Sequence, residues 1–554
     1  MKFLRRILAG ALALGLLAAP PGYAARVRPE PSGPPRSAVG EAIYLHGVLG
    51  SGMPLVANRA GAEPVSGEVS ACVNCHQRSG LGAKEARTLI PPVSGAFLFH
   101  EPGRSTAADL QLPYIPGARL ERAAYTDATL ARAIREGVDA EGHTLSYLMP
   151  RFTLGDADMT ALITHLRSLE RSRVPGVTST ELHFATIVTP DADPLKRRAV
   201  LEVLQHFFED RNIAPRGAAA QTMETSGTTA YAKRMFRVNR RWVLHTWELT
   251  GPASTWTEQL QTKFAAEPVF AVISGIGGSN WAPVDAFCEQ QAVPCLFPNL
   301  EQPPADGDRK FHSLYFSRGV LLEADMIAAT LPSTATRVRQ IYRVGDVGEG
   351  AARAFAKQLE ARGVTVVSRA IPARAAVSAV VAALRDDADG LATVLWLRPI
   401  DLAALAGSPP PSGAVYLSGL MGGLDAITVP DQWRERSRIA YPFDVSDRRR
   451  VRVDFALGWF RIRKIEVVAE QVQADTYLAC GLLSETLKHM VDAFIPDYLI
   501  ESLQETVEHR ILTGYYPRLT LGPHQRFASK GGYVMRFDPS GAKRLVPDGE
   551  WLTP

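Results

Sequence analysis

Two cysteines one helical turn apart with a histidine directly after them, Cys72-Val73-Asn74-Cys75-His76, constrain the first third of this 554-residue chain more than any other feature. In a C-x-x-C-H run the two thiols can form thioethers to the two vinyl groups of one haem, and the adjacent histidine is then held under the iron as proximal ligand. Zinc needs four ligands, and no second C-x-x-C or H-x-H cluster supplies the rest. A thioredoxin-type pair should follow a strand in a βαβ unit. The residues before Cys72 are rich in Gly, Ala and Pro and do not read as a buried strand. The motif is read as the attachment site of one covalent haem c.

Attachment of that kind takes place outside the cytoplasm, and the N-terminus carries a matching address. Lys2, Arg5 and Arg6 precede an apolar run, Ile7–Ala19, too short for the roughly 20 residues of a membrane span. Pro20, Pro21 and Gly22 break the helix, and Gly22-Tyr23-Ala24 supplies small residues for cleavage, so 1–24 reads as a signal peptide. A flexible, proline-rich leader is expected over 25–39. No lipobox cysteine follows, and no later segment is apolar enough to span. The expected product is exported, soluble and periplasmic, without stable membrane insertion. The formal charge is 61 − 57 = +4, and 58 − 57 = +1 without the first 24 residues, which gives no electrostatic case for nucleic acid. With 46% hydrophobic and 21% charged residues the chain is globular, neither disordered nor fibrous. Five cysteines are too few for a disulfide scaffold.

The sixth ligand expected for the iron is Met149, 73 residues after His76 and fixed by Pro150. Asp156 can cap a following helix with apolar Met159, Leu162, Ile163 and Leu166. Of the rivals, Met159 reads as a core position, His143 lies in a polar turn, and His100 is the third. Thioether ligation raises the potential relative to bis-histidine.

With these pieces in order, residues 40–170 resemble a monohaem class I cytochrome c. The carriers are Gly40-Glu41-Ala42-Ile43-Tyr44, CVNCHQRSGLG at 72–82, Pro91-Pro92-Val93-Ser94-Gly95, a helix at Asp127–Gly137, and LMPRFTLGDADMTALITHLRSL at 148–169. The chain departs from small members by some 25 residues between the first helix and Cys72. The resemblance implies an all-α domain around haem, bound by Cys72, Cys75, His76 and Met149, with one-electron transfer as its activity.

A linker is expected at 171–180, where periodicity stops. Beyond it strands alternate with helices. The expected strands are Leu182–Val188, Trp242–Leu249, Pro268–Ile273, Val293–Phe297, Val338–Tyr342, Thr365–Arg369, Leu391–Leu397 and Ala414–Ser418. Helices are expected at Leu195–Arg211, Ser254–Ala265, Val284–Gln291, Gly319–Leu331, Gly348–Arg362 and Ala375–Arg385. Such alternation implies parallel sheets covered on both faces, and its length calls for two α/β lobes.

This part resembles type I periplasmic solute-binding proteins of branched-chain amino-acid ABC transporters. It does so through FAVISGIGGSNWAPVDAFCEQQAVPCLFP at 270–298, SLYFSRGVLLEADMIAATL at 313–331 and RQIYRVGDVGEGAARAFAKQLEARGVTVV at 339–367. The resemblance implies a periplasmic-binding-protein type I domain over 181–510, with a cleft between lobes joined by crossing strands. It places the ligand-binding loop after the third strand at Ser274, Gly275, Gly277, Gly278, Ser279 and Asn280, with Asn299 standing where a Ser/Thr turn is usual. Backbone N–H groups there suit a carboxylate, and equally the glycines can serve only a tight turn; both readings stay open. Trp281 stacks on a ligand or shields the lobe interface. Arg318, Arg343 and Arg398, at strand ends, meet an acidic ligand or form ion pairs.

Cys288 and Cys295 can form a disulfide in an oxidising compartment, and Cys480 reads as a buried free thiol. The tail, 511–554, is expected to be a strand-and-turn extension packed on the lobes, with Gln525–Gly532 either a docking surface or a hairpin cap. No catalytic motif stands out, so no enzyme is expected. The expected function is an electron carrier whose second domain binds a small organic solute or docks a periplasmic redox partner such as a dehydrogenase. The alternative is an ABC-type solute receptor or sensor with haem as redox readout.

Overall fold

The computed structural model describes residues 36–59, 61–85, 88–100, 122–169, 174–225, 240–385, 390–490, 493–509, 514–540 and 544–554. The signal peptide and the leader up to residue 35 lie outside them.

The first domain is built on two crossed helices, α1 (Arg36–His46) and α5 (Asp156–Ser168). Gly40 stands at the crossing because a Cβ there would lie 2.1 Å from the Ala161 carbonyl oxygen. Ile43 and Tyr44 are thereby buried against a core that includes Leu162 and Leu166. Between them lie α2 (Val73–His76), α3 (Gly95–Leu98) and α4 (Asp127–Glu136). Thr126 caps α4 and Gly137, at φ 73°, ends it. Helix α1 starts inside the segment read as leader. The domain is also not purely helical. Strands β1 (Val56–Asn58), β2 (Val65–Ser66) and β5 (Arg151–Thr153) form an antiparallel sheet, and β3 (Ala83–Glu85) pairs with β4 (Thr88–Ile90). Strands of two or three residues are too short for alternation to reveal.

From residue 174 on, the connecting segment is docked: the His183 N–H reaches the Gly176 carbonyl at 2.8 Å. Two α/β lobes follow. The first has a parallel sheet of order β10-β9-β8-β6-β7, from β6 (Glu181–Val188), β7 (Arg241–Glu248), β8 (Ala271–Ile273), β9 (Cys295–Leu296) and β10 (Ser313–Leu314). Its covering helices include α6 (Pro194–Thr225), α7 (Trp256–Ala266) and α8 (Ala282–Gln290). Ala271, Val272 and Ile273 are all buried, as expected of a parallel central strand covered on both faces.

The second lobe has sheet order β12-β11-β13-β14-β15-β16-β17. Its parallel strands are β11 (Arg337–Arg343), β12 (Thr365–Ile371), β13 (Ala392–Trp396), β14 (Val415–Ser418) and β15 (Ser437–Tyr441). Its helices include α9 (Val320–Thr330), α10 (Val347–Glu360), α11 (Ser378–Arg385), α12 (Pro399–Ala403) and α13 (Gly419–Gly422). The chain then returns through α14 (Ser446–Arg463), α15 (Glu470–Met490) and α16 (Pro496–His509), of which α15 packs on α6 of the first lobe.

The tail is not an appended cap. Residues 526–529 run beside the 315–316 crossing, with the Ala528 N–H on the Tyr315 carbonyl and the Ser529 N–H on that of Phe316. The chain then enters the second sheet as β16 (Tyr533–Phe537), antiparallel to β15, with β17 (Leu545–Pro547) outside it. Arg526, Phe527 and Ala528 are at most 2% exposed. Three connections therefore join the lobes, near Tyr315–Gly319, Tyr441–Asp444 and Arg526–Gly532. The exposed docking surface considered for Gln525–Gly532 is corrected accordingly.

Candidate functional site

In the first domain Cys72 caps the single turn α2, and the N–H groups of Cys75 and His76 bond back to its carbonyl at 3.2 and 2.9 Å. Neither cysteine is in a disulfide. Burial pushes the Cys72 thiol up to about 12. His76 is 7% exposed, with Nδ1 3.0 Å from the Pro91 carbonyl oxygen. Burial lowers its pKa, so the ring is neutral, donates from Nδ1 and keeps its lone pair on Nε2. That is how a metal-binding imidazole is usually oriented. Met149 packs against the same apolar cluster as Cys72 and Val73. Arg151 holds the methionine loop, donating to the carbonyls of Leu145 and Met149, and it lies where a Cβ on Gly137 would be. Cys72 and Met149 thus pack against one apolar core, with Cys75 and His76 on the turn that Cys72 caps, and together they make a donor set that suits haem c. Of the rivals, Met159 is 3% exposed in the core and His143 sits in an exposed turn with Asp139, whereas His100, with Nδ1 2.6 Å from the Phe97 carbonyl, is oriented as His76 is.

The loop after His76 is seated on the first lobe. The Glu501 carboxylate accepts the Ser79 N–H at 3.0 Å, and Arg78 pairs with Asp497 at 3.7 Å. Asp497 also meets Nε2 of His312 at 2.9 Å, and Glu289 meets its Nδ1 at 3.3 Å. Burial works against protonation of His312, but the two carboxylates raise its pKa. Ala493, just before α16, belongs to the core of the first domain.

The inter-lobe cleft lies at the C-terminal ends of the parallel strands, where open α/β sheets place their ligands. Here the groups read as ligand-binding are engaged within the chain. Ser274 is fully buried, with φ 46°, and its hydroxyl lies 3.1 Å from Thr476 and accepts from Asn299 at 3.0 Å. Trp281, 3% exposed, covers the glycine loop: a Cβ on Gly275 or Gly277 would come within 2.8 or 2.7 Å of its ring. The Ser279 N–H donates to Asp191 at 3.0 Å, and that of Gly278 is shared between Asp191 and Thr189 at 3.3 and 3.2 Å. A Cβ on Gly278 would strike the Asp191 carboxylate, so these glycines admit an internal carboxylate and an indole. Although burial opposes it, this ring of donors lowers the Asp191 pKa. Asn280 accepts the Ala282 N–H at 3.2 Å at the start of α8, and Arg318 pairs with Asp325.

Across the cleft, Glu301 of the first lobe accepts from Arg398 of the second at 2.7 Å and from Lys196 at 2.9 Å. Arg398 also grips Asp346 at 2.7 Å. Burial opposes ionisation of Glu301, yet Arg398 and Lys196 hold its carboxyl down to about 2. Arg343 pairs with Asp401 at 2.6 Å. The three strand-end arginines are ion-paired. Cys288 and Cys295 are joined in a disulfide from α8 to β9, and Cys480 is a buried thiol.

Asp191, Glu301, Thr476 and Glu501 were not singled out from sequence. Asp191 and Glu301 could have been: both follow first-lobe strands at their carboxyl ends.

No protein-family model and no curated protein matches the chain. Among solved structures it is similar to a fatty acid ABC transporter substrate-binding protein from Thermomonospora curvata, at 14% identity and TM-score 0.49, over 69% of this chain and 95% of that one. It is also similar to a putative branched-chain amino acid ABC transporter protein from Rhodospirillum rubrum, at 18% identity and TM-score 0.45, over 68% and 100%. With both scores under 0.5, the two-lobed architecture stands on the strand order and the three crossings. Among the described residues no helix is long and apolar enough to cross a membrane.

Proposed function

We propose that this chain is an exported c-type cytochrome, an electron carrier whose haem domain is held on a two-lobed module of solute-binding-protein type. The observation that carries the reading is the packing of Cys72 and Met149 against one apolar core, with His76, on the turn that Cys72 caps, oriented by Pro91. Cys72 and Cys75 would hold the group covalently, and His76 Nε2 and the Met149 thioether would ligate its iron. Bound there, haem c supplies one-electron transfer. The Pro91 carbonyl fixes the imidazole tautomer. Val69 next to the motif, and Tyr147 and Leu148 next to Met149, are exposed apolar side chains suited to a transient redox partner in the periplasm. A periplasmic dehydrogenase fits that description.

The test is production with the haem-attachment machinery, followed by absorption spectroscopy under denaturing conditions. Covalent haem is expected in the wild type and absent in Cys72→Ser/Cys75→Ser. Met149→Ala should abolish the weak near-infrared sulfur–iron band; its persistence would show that Met149 is not the sulfur ligand.

A second reading, a solute receptor or sensor with haem as redox readout, is supported by the two lobes and their three crossings. The proteins similar in fold are named for fatty-acid and branched-chain amino-acid transport, so a small organic acid is the solute class to try. The Glu301–Arg398 bridge and the Asp191-filled loop favour the first reading, because each occupies groups that a ligand would need. Melting of the haem-loaded chain against amino acids, carboxylates and fatty acids separates them. A ligand at 100 times its Kd adds about 2.7 kcal/mol.

A further inference from the structure

Helix α14 carries a face that the fold does not use. Its inner side chains Val453, Ala456 and Phe460 are buried in the core of the lobes. On the outer side Val451, Phe455 and Ile462 are 64%, 61% and 76% exposed. With Gly458 they are spaced four, three and four residues apart. At about 100° per residue that spacing draws them into one stripe roughly 60° wide. Scattered exposed apolar residues need no explanation, but an aligned seam on one helix does. A Cβ on Gly458 would meet only the Arg461 guanidinium, at 3.9 Å, so the seam holds one large aromatic and one gap a turn away.

The rim is equally specific. Asp454 and Arg461 lie seven residues apart on the same edge and make no ion pair among the described residues. On the other edge the polar groups are spent: Arg448 on the Tyr533 hydroxyl, Arg452 on Asp444, and Trp459 and Arg463 on Asp210.

We propose that α14 pairs antiparallel, about a two-fold axis, with α14 of a second copy of this chain. A four-three-four seam is the knobs-into-holes pattern of a paired helix. In the antiparallel pair Val451 faces Ile462 of the second copy, and Phe455 fills the gap over its Gly458, each contact made twice by symmetry. The residue preceding each seam position on one edge meets its counterpart on the same edge. Asp454 therefore meets Arg461 of the second copy, and Arg461 meets its Asp454. One surface supplies both the apolar and the charged complement of itself.

Sedimentation of the haem-loaded full-length mature protein tests this across the micromolar range. A concentration-dependent dimer is expected. Phe455→Asp should raise its dissociation constant about thirty-fold or more, as for a hot-spot aromatic. Asp454→Arg and Arg461→Asp should each weaken the dimer, and together restore it, since every facing pair is again opposite in sign. These positions are exposed, and an unchanged melting temperature and haem spectrum check the fold of each variant. A monomer throughout, a dimer indifferent to Phe455→Asp, or a double swap no better than the single ones overturns the proposal. So does a solution monomer that binds anionic phosphatidylglycerol vesicles through Phe455, which would assign the stripe to lipid.

Discussion

The carboxylate of Glu501 accepts the backbone N–H of Ser79 at 3.0 Å, three residues beyond the motif histidine, so a first-lobe helix grips the loop after C-x-x-C-H through a buried acid. Burial raises the Glu501 pKa from the ordinary 4.5 to about 8, Asp497 one turn earlier adds to it, and the Ser79 hydrogen bond opposes. Glu501 Oε2 has no hydrogen-bond partner.

The first prediction follows from that acid. Its folded pKa is raised, so the native state binds the proton more tightly than the unfolded chain. Stability from this group is complete below 4.5 and falls as pH rises toward 8. Glu501→Gln keeps the acceptor for Ser79 and removes the titration. The fall in melting temperature across that window should be shallower by several degrees, equivalent to about 2 kcal/mol. Superimposable wild-type and variant profiles would show that the acid does not titrate there.

The cross-cleft bridge behaves in the opposite sense. Glu301 has a depressed pKa, so its contribution is present above 4.5 and is lost as pH falls toward 2. Arg398→Met leaves Glu301 with Lys196 alone and should cost about 2 kcal/mol and widen the particle in small-angle scattering. Glu301→Met in the same chain should recover much of the loss of stability, but not the compactness.

Asp191→Ala removes the acceptor for the Ser279 N–H and one of the two for that of Gly278, costing about 1–3 kcal/mol. The vacated loop then presents donors to a small carboxylate. Acetate should raise the variant's melting temperature saturably, and chloride at equal ionic strength should not. An equal response of the wild type would mean that acetate acts elsewhere.

The Cys288–Cys295 bridge closes a short loop, for which chain entropy gives about 2.5 kcal/mol. Cys288→Ala/Cys295→Ala should lower the melting temperature accordingly, and dithiothreitol should lower the wild type to the same value while leaving the variant unmoved.

How much of this could be read beforehand depended on range. The Glu181–Val188 strand and the fully buried Ala271–Ile273 strand announce themselves by apolar runs, and C-x-x-C-H by its spacing. The Asp191–Ser279 contact joins positions 88 apart, so the glycine loop looked open to a ligand when its partner was an acid one strand away. The connection at Arg526–Gly532 reads from sequence as a docking surface or a hairpin cap because its extended shape comes only from pairing with Tyr315 and Phe316, distant in the chain. The small sheet of the first domain was lost because no member exceeds three residues.

Arg78 and Arg526 both stack on the ring of Phe311, at 4.8 and 4.7 Å from its centroid. Arg78 belongs to the loop that follows His76, and Arg526 to one of the three segments that tie the lobes together. The ring is therefore a shared bearing. A hinge rotation that moves Arg526 and a shift of the motif loop that moves Arg78 would both act on this ring. Beside the Glu501 and Asp497 contacts, Phe311 gives the two halves of the chain a common seat.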